Sequence, residues 1–84
     1  MTGTTDGSET VRIDGLTLFM CGRLLSAAKA VYGEDSDEWR AVQGTHVVAD
    51  RETVQRLEAA ARRLAVRAFD TTLYRAAERL DSGL

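Results

Sequence analysis

Few residues of this chain are of types that could do chemistry: one cysteine, one histidine and three groupings of charge. Cys21 closes the apolar run that starts at Leu16, where a thiol is expected to be buried and inert. His46 has no second histidine or carboxylate at ligand or catalytic spacing, and one cysteine with one histidine are too few soft ligands for a structural zinc site. The acidic group Glu34, Asp35, Asp37 and Glu38 lacks the alternating oxygen ligands and the glycine of a calcium loop. Asp35 and Glu38 instead have the spacing of a capping box, and carboxylates at a helix start face the positive end of its dipole. There is no glycine-rich phosphate loop, nucleophile elbow or paired-histidine motif. The expectation is a chain that is not an enzyme, with no catalytic, cofactor-binding or metal site.

The remaining charge groupings are basic. Glu52 with Arg56 and Glu58 with Arg62 are helix pairs four apart in the favourable order, each contributing a few tenths of a kcal/mol. Arg56, Arg63 and Arg67 align on one face, and Arg63 beside Arg67 repels. That face is the candidate contact for an acidic partner protein, a nucleic-acid backbone or the chain's own acidic loop, with the partner protein the leading choice. Arg75 and Arg79 extend the basic character on another face.

These side chains are carried by the stretch from Asp50 to Leu80, which runs without Gly or Pro and is rich in Ala, Leu, Arg and Glu. Val54, Leu57, Ala61, Leu64 and Ala68 form one apolar stripe at helical spacing. A second set, Phe69, Leu73, Ala76 and Leu80, is about a quarter turn round from the first. Asp70-Thr71-Thr72 falls at the change of phase, and these residue types favour caps over helix interiors. The helix either breaks there or continues and buries two faces in two neighbours. A continuous helix would leave Phe69, Leu73, Ala76 and Leu80 for self-association, most simply as a two-fold homodimer.

Ahead of this stretch, residues 1–10 read as a flexible tail too polar to offset the entropy of ordering. Residues 11–84 read as a single helical domain. Val11 and Ile13 alternate with polar neighbours as a short extended segment, continued either by a hairpin turn at Asp14-Gly15 or by a helix capped at Asp14. The better-supported first helix runs from Leu16 to Tyr32 and stops at Gly33. A short helix through about Gln43 follows, with Trp39 and Val42 inward and Gly44 at its end. Thr45 to Ala49 suggests extended chain across the first helix, and Asp50 caps the long one.

With 84 residues, 29% charged and no proline, the chain fits one small domain. A domain of this size buries only about 60% of its unfolded surface, so a second copy would help it. The expected fold is all-α: a small helical bundle or helical hairpin with a short extra helix and room for one short N-terminal strand, completed by dimerisation. A net charge of −2 gives no global field towards nucleic acid or an anionic membrane. The run from Leu16 to Cys21 is too short to span a bilayer, and acidic residues precede it where a signal peptide would carry basic ones, so a cytoplasmic location is expected.

Thr10-Val11-Arg12-Ile13-Asp14 ahead of a helix resembles the opening of ribbon-helix-helix repressors and antitoxins. Gly33, Glu38 and Arg40 are similar to that family's inter-helix turn and second-helix start. The resemblance covers roughly residues 10–43. It implies strands paired between two chains in the DNA major groove, with Thr10 and Arg12 pointing at bases and Val11 and Ile13 in the dimer core. The leading expectation is a non-enzymatic helical adaptor or regulatory subunit that acts as a homodimer on another protein. DNA binding is the alternative, and the pairing of residues 10–14 discriminates between them.

Overall fold

The computed structural model describes residues 9–84. In order these form β1 (Thr10–Ile13), α1 (Leu18–Tyr32), α2 (Asp37–Ala41), β2 (Val42–Gln43), β3 (His46–Asp50), α3 (Arg51–Ala68) and α4 (Thr71–Gly83). The first eight residues of the expected tail lie outside the described residues, and Thr10, its last, belongs to β1.

The all-α expectation is corrected: the fold is largely helical but mixed, with a three-stranded antiparallel sheet in the order β1-β3-β2. Two local features produce the sheet. Residues 42–43 leave the expected short helix early and pair with 46–47 as a tight hairpin. Gly44 has φ of 54° while Thr45 is not among the positive-φ residues, the pattern of a II′ turn with glycine first. Gly44 therefore turns a hairpin instead of ending a helix. β1 then lies along the other side of β3, Ile13 opposite Val47 and Val11 opposite Ala49. The alternative of a local hairpin at Asp14-Gly15 gives way to this longer-range pairing, and Asp14 does not cap α1; Thr17 does, accepting from Met20 N–H at 3.0 Å.

Helix limits follow from side-chain caps. α2 is capped by Ser36, which accepts from Trp39 N–H at 3.1 Å, so the expected box from Asp35 is displaced by one residue. Asp50 caps α3 as expected, accepting from the Thr53 N–H at 3.2 Å and its hydroxyl at 2.6 Å.

The long stretch breaks. Phe69 takes a left-handed conformation with φ 54°, Asp70 N–H donates to the Ala65 carbonyl at 2.9 Å, and Phe69 N–H donates to the Val66 carbonyl at 3.5 Å. This is a Schellman closure of α3. Asp70 then caps α4, accepting from Leu73 N–H at 3.0 Å. The turn brings α4 back along α3, which gives the second apolar stripe a neighbour inside its own chain. Leu73, Ala76 and Leu80 are buried there, with Leu80 fully enclosed. Their expected availability for self-association is corrected accordingly.

The core joins these pieces. Leu24, Ala27 and Ala28 of α1, Val54, Leu57 and Ala61 of α3, and Ala76, Ala77 and Leu80 of α4 pack together, with Ile13 and Val47 closing it from the sheet. Small alanines at the contacts let the three long helices approach closely.

Candidate functional site

Several sequence candidates have structural work. Arg56 donates from Nε to Glu38 Oε2 at 2.7 Å and from Nη2 to the Thr53 hydroxyl at 3.3 Å. Its carbonyl accepts from the Tyr32 hydroxyl at 3.1 Å. Arg56 thus ties α2 and the end of α1 to α3, and the Glu38 carboxylate holds its pKa above the ordinary value. Arg63 and Arg67 are exposed and have no ion-pair partner among the described residues, so the expected arginine trio divides two against one. Glu52 meets Arg56 at 3.8 Å, and Glu58 meets Arg62 at 2.6 Å, as spacing suggests.

Thr10 and Arg12, the DNA candidates, are exposed on β1. That strand pairs with β3 of its own chain, and the Arg12 guanidinium lies 3.1 Å from Asp14, holding the Asp14 carboxyl below the usual carboxylate range. Cys21 is buried, which pushes its thiol pKa up. Among the described residues no group of three or more His, Cys, Asp or Glu side chains could hold a metal ion, and no helix is long and apolar enough to cross a membrane.

The surface that stands out lies where α3 turns into α4, beside the start of α1. Phe69 is on it at 93% exposure with Val66 at 61%, and on the first turn of α1 Phe19 is 83% and Leu18 71% exposed. Two separate open grooves lie near the turn. One, of about 350 Å³, is lined by Ala65, Val66, Phe69, Asp70, Thr71 and Tyr74. The other, of about 460 Å³, lies among Leu18, Phe19, Gly22, Arg23, Ser26 and Thr72. Between them Arg23 pairs with Asp70 at 3.0 Å, tying α1 to the elbow. The Tyr74 ring forms part of the first groove and carries the Arg62 guanidinium 5.3 Å from its centre.

Sequence reasoning placed Phe69 on the self-association stripe but missed the exposed pair Leu18 and Phe19 on α1. Leu18 and Phe19 were merged into the apolar start of α1, although they point away from the Cys21 and Leu24 side that α1 buries. Of the four residues expected on a self-association face, Phe69 alone is strongly exposed. Comparison of the chain with family models, with curated proteins and with solved structures finds no match.

Proposed function

We infer that this chain is a small non-enzymatic binding module that acts by docking another protein on the elbow between α3 and α4. The observation that carries this reading is Phe69. Its side chain is 93% exposed, and its backbone has φ of 54°, where helices ordinarily use glycine. A left-handed conformation costs a non-glycine residue about 1–2 kcal/mol, and an exposed aromatic gives up the burial that would stabilise it. The left-handed backbone serves the turn that folds α4 back onto α3, but the exposed ring has no such use within the chain. Val66 and Tyr74, which line the same groove, support the same reading, because exposed apolar side chains grouped on a small domain mark an interaction surface.

Site-specific photocrosslinking in cells that express the chain tests it. A photoreactive phenylalanine analogue at position 69 is expected to give discrete higher-mass adducts, and the same analogue at the exposed Gln55 is not. No adduct at 69, or the same adducts at 55, would overturn the reading.

A further inference from the structure

The chemistry of the partner follows from what borders the elbow, a step that rests on the docking reading above. All lining residues come from α1, α3, α4 and the Phe69-Asp70 link, so no strand edge is offered to an incoming chain. A partner segment buried here must satisfy its own backbone N–H and C=O groups, as a helix does. Phenylalanine-sized side chains bury about 150–250 Å² each, so Phe69 with Val66 and Tyr74 supplies a few hundred Å² of apolar contact. That area suits the centre of an interface of about 800 Å² per partner.

The charges select among occupants. Arg63 and Arg67 lie to one side of Val66 on the exposed face of α3, and Arg75 follows Tyr74 on α4; all three are exposed and without ion-pair partners among the described residues. The carboxylate of the elbow itself, Asp70, is taken by Arg23. Glu78, one turn past Tyr74, is the next exposed acid along α4. Glu78 also has no ion-pair partner among the described residues, but against three unpaired arginines it leaves the surroundings net positive. A second copy placed elbow to elbow about a two-fold axis would therefore bring two net positive surroundings together. A partner bearing acidic residues beside its apolar stripe turns the same arginines into attractive contacts.

We propose that the elbow binds an acidic amphipathic helix of another protein, its apolar stripe seated on Val66, Phe69 and Tyr74 and its carboxylates facing Arg63 and Arg67. The test is fluorescence anisotropy of the full chain with three labelled peptides of about five helical turns. One has leucines at helical spacing flanked by glutamates, the second has lysine at each glutamate position, and the third is a scramble of the first. The acidic peptide is expected to bind at least tenfold tighter than the lysine peptide, and the scramble not to bind. A chain carrying Arg63→Glu and Arg67→Glu should reverse the preference. Phe69→Gly should weaken binding about tenfold while circular dichroism stays native.

Equal binding of acidic and basic peptides, lost in Phe69→Gly, would overturn the acidic partner while leaving the docking reading standing. No peptide binding by the native chain, or binding unchanged in Phe69→Gly, would overturn both. A dimer by light scattering that Phe69→Gly dissociates would identify a second copy as the occupant and overturn the proposal. So would binding to phosphatidylserine vesicles without binding to any peptide.

Discussion

Phe69 and Asp50 show how a single residue sets this structure, with opposite balances. At Phe69 local stability is given up. Replacing it with glycine removes the left-handed strain and an exposed aromatic together, against the greater entropy of glycine in the unfolded chain. Phe69→Gly is therefore expected to raise the stability of the isolated chain by about 0.5–1 kcal/mol, read as a higher urea midpoint with an unchanged slope. A lower midpoint would show that the side chain has a use inside the fold. Asp50 works the other way: hydrogen bonds from the Thr53 hydroxyl and N–H favour its ionised form and lower its pKa. A carboxylate whose folded pKa is depressed contributes stability that is fully present above its unfolded value of about 4 and is lost as pH falls through the folded value. Asp50→Asn should flatten that part of the acid limb, so that urea midpoints of the variant fall less than those of the native chain as pH drops below about 4. The Asp50 cap was legible because an aspartate ahead of an apolar-periodic run has one strong local use. The conformation of Phe69 was not, since nothing in a phenylalanine announces a position that glycine usually fills.

At the scale of elements, legibility depended on how far away the partner was. Helices α1 and α3 carry their own evidence in spacing and caps, and both appeared close to their expected limits. The sheet did not, because β2 is two residues long and β3 takes its second partner from β1 at the other end of α1. The stripe of α4 was visible, but periodicity shows which residues share a face and not what covers it. Once the chain turned at Asp70, α3 covered it. Two helical glycines make the same point about context and should respond oppositely to alanine. A Cβ on Gly22 would meet nothing within 4 Å, so Gly22→Ala should stabilise the isolated chain by about 0.5–1 kcal/mol through helix propensity. A Cβ on Gly83 would lie 2.6 Å from Ile13 Cγ1, and Ile13 is fully buried, so Gly83→Ala should destabilise by about 1 kcal/mol or more despite the same gain in propensity. Denaturant titration of the two variants side by side decides this; equal signs would mean that the α4 end yields freely.

For the whole molecule the question is whether sheet and helices form one cooperative unit in a chain measuring 45 × 24 × 21 Å. Ile13 is the residue that decides it. It is paired opposite Val47 in the sheet, lies against Gly83 of α4 and is 1% exposed, so it joins the strand layer to the helix that doubles back. Leu80 occupies the matching place on the helical side at 0% exposure. Truncating either to alanine leaves a cavity among side chains that belong to several elements and costs about 2–5 kcal/mol. For 84 residues the total stability is about 4–13 kcal/mol, so each loss is a large share of it. If the layers are one unit, Ile13→Ala should lower the helical melt and the Trp39 fluorescence melt together, because Trp39 packs against the same core from α2. Two separated transitions in the variant, with β1 released first and α3 and α4 still paired, would show instead that the helices are the folding unit and the sheet an attachment. Coincident melts would also sharpen the docking argument, since a cooperative core that encloses Leu73, Ala76 and Leu80 leaves Phe69 as the member of that stripe still available to a partner.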